Sequence, residues 1–115
     1  MKNHSVSLTA RGALASAASD DCRSPFVCLW EHSNFTGRRL QWSSAGTKQL
    51  GDWGFRDKAS SGCVNRIQGG ASVYDARTAL PDPYMSLANL YCYDFTRANY
   101  PTGGNWNDKA DYIKL

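Results

Sequence analysis

Short apolar runs separated by turn residues fill the chain from Cys22 onward. Phe26-Val27-Cys28-Leu29-Trp30 is apolar throughout, as in a strand buried on both sides or at a sandwich edge. Ser33-Asn34 then supplies turn chemistry. Over residues 38–43, Leu40 and Trp42 alternate with Arg39, Gln41 and Ser43, so one face points inward and the other meets water. Ala45-Gly46 ends that strand, and Gly51-Asp52-Trp53-Gly54-Phe55 reads as a glycine-punctuated loop whose aromatics fold back on the core. Residues 63–68 form the next strand, stopped by Gly69-Gly70, and residues 72–75 another. Pro81 and Pro83 forbid regular pairing, so residues 78–83 are a loop. Residues 84–88 and 90–95 alternate again, Pro101-Thr102-Gly103-Gly104 is a turn, and residues 112–115 close the chain with Ile113 and Leu115 on one face. No stretch after Cys22 carries a helical stripe. About eight short strands predict an all-β domain of two packed sheets in a Greek-key sandwich. An immunoglobulin-like domain is the rival, weakened by strands this short and this crowded with Gly and Trp.

Residues 1–21 break the pattern. They hold no aromatic, carry Lys2 near the start, and run through an Ala- and Ser-rich stretch interrupted by Arg11. Ala15-Ser16-Ala17 has the small-x-small form of a signal-peptidase site. The segment reads as a signal-like leader or a disordered tail, leaving 22–115 as the folded domain.

Composition narrows the function classes. The chain has 115 residues, enough for one domain, and 42% of them are hydrophobic, enough for a core. A net charge of +3 gives no argument for nucleic acid, and no apolar run is long enough for a membrane span. Cys22, Cys28, Cys63 and Cys92 are an even number in a short chain, which points to two disulfides and a secreted protein. Zinc competes poorly: there is no C-x-x-C pair, and His4 and His32 lack ligand spacing. Catalysis lacks parts as well. A Ser-His-Asp or Cys-His set needs a histidine in the folded region, where only His32 stands, and Glu31 is the sole glutamate. No catalytic residue is assigned.

The chain also echoes itself. Phe55-Arg56-Asp57-Lys58-Ala59 and Trp106-Asn107-Asp108-Lys109-Ala110 share an aromatic-x-Asp-Lys-Ala core, and each precedes a short strand. Such duplication implies two similar units sharing one core. Trp30-Glu31-His32-Ser33-Asn34-Phe35-Thr36-Gly37 fits, in full, the aromatic, four residues, Phe, one residue, Gly motif of the βγ-crystallin domain. Asp57-Lys58-Ala59-Ser60-Ser61 resembles that family's second motif from its second position, with Arg56 in place of the first. Asn107-Asp108-Lys109-Ala110 matches the opening of the other copy, but Asp111-Tyr112 departs at its end, and Tyr74 lacks a following Phe-x-Gly. The run Cys28-Leu29-Trp30-Glu31 and the stretch Leu50-Gly51-Asp52-Trp53-Gly54-Phe55 resemble secreted actinobacterial proteins of the streptomycete metalloproteinase-inhibitor type, peptidase inhibitor family thirty-six.

The resemblance implies two Greek keys forming a βγ-crystallin-like sandwich, the first over about 26–70 and the second over about 71–115. It implies a secreted protein-binding monomer, not an enzyme, whose partner is a metalloprotease. The Cys63-Val64 bond places an apolar residue where thermolysin-type enzymes favour one. The competing readings are that Val64 points into the core and that another loop, such as 78–83, meets the enzyme. The same resemblance implies calcium held by Asp57 and Ser60 from one loop and Asn107, Asp108 and Asp111 from the other. Arg56 is adverse there, because a fixed cation repels the ion. These loops can instead be plain turns capped by their Asp side chains. A calcium-binding structural or stress protein is the first alternative function. A cationic envelope-binding or antimicrobial protein, using Arg38, Arg39, Arg56, Lys58 and Arg66 beside Trp42 and Trp53, is the second. Of the three possible disulfide pairings, Cys22–Cys28 with Cys63–Cys92 is the expected one: the first closes a short loop and the second ties the two motifs together.

Overall fold

The computed structural model describes residues 22–115, so the leader expected at 1–21 lies outside the described residues. Eight strands form: β1 (Val27–His32), β2 (Thr36–Trp42), β3 (Thr47–Gln49), β4 (Ser61–Val64), β5 (Ala71–Tyr74), β6 (Tyr84–Leu87), β7 (Cys92–Asp94) and β8 (Tyr112–Lys114). They make two four-stranded sheets, ordered β2-β1-β4-β7 and β3-β8-β5-β6, with every pair antiparallel. Each half of the chain therefore lends its third strand to the other half's sheet: β3 pairs with β8, and β7 pairs with β4. Two Greek keys bound in this way share one core, because neither sheet is complete without the other motif.

The alternation along each strand decides what enters that core. Val27 and Leu29 of β1, Val73 of β5 and Ile113 of β8 are fully buried between the sheets, with Phe55, Phe95 and Trp106 filling the space. Cys28 and Trp30 face the other way yet are also buried, since they belong to a second, outer cluster with Cys22, Cys63 and Cys92. Both disulfides form as expected, Cys22–Cys28 and Cys63–Cys92. Cys28, Cys63 and Cys92 sit in register across β1, β4 and β7, so the two bridges lie in one row on the outer face of this sheet. The continuous apolar run from Phe26 to Trp30 thus serves two cores at once.

The first hairpin is closed by its motif residues. The Trp30 and Phe35 rings meet edge-to-face at 5.5 Å. Gly37 has φ +83°, and a Cβ there would lie 2.5 Å from the His32 ring, so only glycine fits.

Several boundaries differ from those expected. β4 spans Ser61–Val64 and not 63–68, because past Val64 the backbone turns to side-chain partners: the Asn89 side chain accepts from the Arg66 N–H and donates to its carbonyl. β3 is polar and three residues long, and it exists by pairing with β8 at a sheet edge. The strand expected over 90–95 shortens to β7, since Leu90 takes φ +70° and Phe95 opens a 3-10 turn capped by the Asp94 carboxylate. Phe55 folds back on the core, but Trp53 is 39% exposed and rests edge-on against Trp42 outside it.

Candidate functional site

The two repeated loops meet at one end of the sandwich. Phe55 and Trp106 anchor them in the core, Ala59 and Ala110 are fully buried, and Asp57 and Asp108 take the left-handed backbone at φ 57° and 59°. Each loop donates to the other: Asp57 N–H to the Ala110 carbonyl at 2.9 Å, and Asp108 N–H to the Ala59 carbonyl at 3.0 Å. Each is also tied to the strand that opens its motif, Ser60 N–H to Trp30 and Asp111 N–H to Tyr74. The duplication in sequence is a two-fold relation in space, and it creates two matching clefts.

The first cleft is lined by Glu31, Asp57, Lys58, Ser60, Asn107 and Asp108, among others. The Ser60 hydroxyl donates to the Asp108 carboxylate at 3.1 Å, and the Asn107 amide donates to its other oxygen at 3.3 Å. Among the described residues, the recorded partners of this carboxylate are neutral.

The second cleft gathers Asp57, Asp75 and Asp111, whose carboxylate oxygens lie within 4.8 Å of one another. Its electrostatics are already answered by the protein. Arg56 Nε lies 2.9 Å from one oxygen of Asp111, and the Ala76 N–H donates to the other at 2.7 Å. The Tyr100 hydroxyl donates to Asp75, and Arg77 Nη2 donates to Tyr100 at 2.9 Å. Burial pushes Asp111 above the ordinary carboxylate value and the Asp57 carboxylate adds to this, against the pull of the Ala76 N–H and Arg56. Calcium takes about six to eight oxygen ligands, waters included. In this cleft a guanidinium and an amide N–H already engage both oxygens of the buried Asp111 carboxylate. In the first cleft both Asp108 oxygens also accept hydrogen bonds, but from neutral donors. Asp75 was not among the expected ligands. It follows Tyr74 as Glu31 follows Trp30, so the repeat offset was the signal that locates it.

The Cys63-Val64 bond expected to meet a protease is inaccessible. Both residues are fully buried in β4, which lies between β1 and β7, and Val64 belongs to the inner core. The basic residues expected to cluster are largely spent on internal contacts. The Arg38 guanidinium lies over the Phe55 ring at 5.5 Å, Arg56 pairs with Asp111, and Arg66 donates to the Gly70 carbonyl at 2.8 Å.

A different feature is the turn between β5 and β6, where residues 77–81 are all exposed, with Leu80 at 61% exposure. The base of this loop is fixed at several points. Asp75 N–H donates to the Pro83 carbonyl at 3.0 Å, and Asp82 accepts from the Arg77 N–H at 2.8 Å and from the Tyr112 hydroxyl of β8 at 2.5 Å. Tyr74, Tyr84 and Tyr112 stack beside it across the outer face of the second sheet.

Comparison with known proteins gives one family and one fold. Residues 15–86 match the model of peptidase inhibitor family I36. No curated protein matches the sequence significantly. Among solved structures, the beta gamma crystallin from Ciona intestinalis is similar at 23% identity and TM-score 0.53, over 78% of this chain and 98% of that one. The N-terminal domain of Protein S is similar at 13% identity and TM-score 0.54, over 77% and 92%. A mutant of a betagamma-crystallin domain from Clostridium beijerinckii gives 16% identity and TM-score 0.52, over 77% and 94%. At these identities the likeness shows the βγ-crystallin fold and nothing further.

Proposed function

The chain belongs to peptidase inhibitor family I36, and from that membership we propose that it is a secreted inhibitor of a metalloprotease. The observation that carries the reading is the family match over residues 15–86, which spans the first motif, β5, the exposed loop and the start of β6. The architecture supports it. An inhibitor must present a surface that loses little freedom on binding, since ordering costs subtract directly from affinity. Here two disulfides brace the outer face of one sheet, and the loop at 75–83 is fastened at its base to β8. Two disulfides also suit an oxidising, extracellular setting. The test is the residual activity of a thermolysin-type metalloprotease, a serine protease and a cysteine protease, each with excess protein, with and without calcium. Loss of the metalloprotease activity alone is the expected result; full activity of all three enzymes would exclude the reading.

The first cleft supports a second, accessory reading: a structural calcium ion held by Glu31, Ser60 and Asp108. What favours it is that Asp108, unlike Asp111, has no guanidinium on its carboxylate. Any ion there would brace the paired loops and would stand apart from inhibition. Millimolar calcium should then raise the melting temperature. An unchanged melting temperature removes the reading.

A further inference from the structure

Resting on the inhibitor reading, we propose that the loop 75–83 is the segment that enters the metalloprotease cleft and that Leu80 is its apolar anchor. A protein that blocks a cleft needs a protruding segment with free backbone groups, a side chain worth burying, and a base that does not yield. Residues 77–81 form an unbroken exposed run, and Leu80 is a large aliphatic side chain held in water between Ala79 and Pro81. Among the described residues, no backbone group from Thr78 to Pro81 has a recorded hydrogen bond, so these groups are free to pair with an enzyme strand. Pro81 fixes its own φ and lowers the freedom lost on docking. Asp82 closes the loop on itself through the Arg77 N–H and fastens it to β8 through Tyr112.

The backbone before the anchor would disfavour cleavage. Ala79 takes φ +63°, a left-handed conformation that a residue with a Cβ adopts at some cost. Proteases take their substrates as extended strands. A left-handed residue immediately before Leu80 lets the side chain reach out while holding the Ala79–Leu80 bond off the extended line. The partner is therefore a metalloprotease whose cleft offers an apolar, leucine-sized pocket. Tyr84, 60% exposed at the foot of the loop, adds an aromatic shoulder to the same surface.

The rival anchor is Ile67, which is 85% exposed. Its loop is closed on itself. Arg66 Nη1 donates to the Gly70 carbonyl, and both the N–H and the carbonyl of Arg66 are taken by the Asn89 side chain. The backbone of Ile67, Gln68 and Gly69 is as free as that of the longer loop, so the two anchors are separated by substitution.

The test compares the full chain with its Leu80→Asp and Ile67→Asp variants against thermolysin, with melting temperatures measured in parallel. Both side chains are exposed, so neither change should unfold the protein. Loss of a buried anchor weakens a complex by about 30-fold or more. We expect that loss for Leu80→Asp, with an unchanged melting temperature, and full inhibition by Ile67→Asp. Undiminished inhibition by Leu80→Asp overturns the anchor and leaves the inhibitor reading standing, and a loss confined to Ile67→Asp moves the contact to the other loop. Equal losses in both variants also overturn a single anchor at Leu80. If the unaltered chain inhibits no metalloprotease, the inhibitor reading fails and the loop assignment fails with it.

Discussion

The Tyr112 hydroxyl donates to the Asp82 carboxylate at 2.5 Å, joining β8 to the base of the exposed loop at 77–81. Asp82 uses its other oxygen to accept from the Arg77 N–H, so one side chain sets both the shape of the loop and its angle to the sheet. Tyr112→Phe removes the donor and keeps the ring that stacks on Tyr74 at 4.7 Å. The fold should survive, with the melting temperature lowered by a few degrees, the scale of about 1 kcal/mol in a domain of this size. Inhibition of a metalloprotease should weaken by up to about tenfold, the scale of one net hydrogen bond. Nicking by an unrelated protease should increase within residues 77–81. Unchanged inhibition and unchanged nicking would show that the loop holds its shape without Tyr112.

The same pair predicts a pH window for the loop. The bond to Asp82, and then burial, hold the Tyr112 phenol well above its usual value, pushed up to about 12. A folded value above the unfolded one of about 10 means that the stabilisation is complete below pH 10 and fades as pH rises toward 12. Asp82 has the opposite sign. The Tyr112 hydroxyl and then the Arg77 N–H hold it below the ordinary carboxylate value. Its contribution is present above that value and is lost as pH falls through the lowered one. Tyrosinate absorbance followed through alkaline titration should show late ionisation of Tyr112 and of Tyr100, which burial and then its bond to Asp75 raise, and Tyr112→Phe should remove the Tyr112 share. A titration in which every tyrosine ionises near its ordinary value would contradict the bond.

What sequence could and could not show follows from the range of the interactions. The paired loops are legible because aromatic-x-Asp-Lys-Ala is local: Phe55 and Trp106 fill the core, Asp57 and Asp108 take the left-handed turn, and Ala59 and Ala110 fit beneath the opposing loop. The first hairpin is legible for the same reason, since Trp30, Phe35 and Gly37 act within one turn. The Asp82–Tyr112 anchor is not, because it joins residues 30 apart that become neighbours only when β8 pairs with β5. Val64 misleads because a valine beside a disulfide looks alike in a strand and in an exposed loop. Only the pairing of β4 on both edges separates the two cases. Arg56 reads as an adverse neighbour of a cation, and the structure shows it paired with Asp111 in the position such a cation would neutralise.

The disulfides should contribute unequally. Cys63–Cys92 spans a sequence separation of 29 and Cys22–Cys28 one of 6. The chain-entropy model gives about 3.5 kcal/mol for the longer loop and about 2 kcal/mol for the shorter. Replacing both cysteines of a pair by alanine and measuring urea unfolding should show the larger loss for the Cys63/Cys92 pair. A larger loss for the Cys22/Cys28 pair would mean that packing of the outer cluster, with Trp30 and Phe35, outweighs loop closure.

Arg56 provides the sharpest test of how the second cleft is held together. Its partner Asp111 is 4% exposed, while Arg56 itself is 60% exposed. Breaking a fully buried pair costs about 3–5 kcal/mol; with one partner this wet, screening reduces the expectation to about 1–2 kcal/mol. Arg56→Asn should therefore destabilise the protein by that amount at neutral pH, because Asp111 is left ionised beside Asp57 and Asp75. Asp111 already sits above its ordinary value, so its ionisation costs stability as pH rises through that raised value. The penalty of the variant should shrink in acid, where Asp111 is protonated and no longer needs a cation. Removing the guanidinium also frees an oxygen of Asp111 among three carboxylates. Millimolar calcium should then raise the melting temperature of Arg56→Asn more than that of the unaltered chain, and chelator should reverse the gain. If the variant loses stability equally at acid and neutral pH and ignores calcium, Arg56 acts through packing and not through charge.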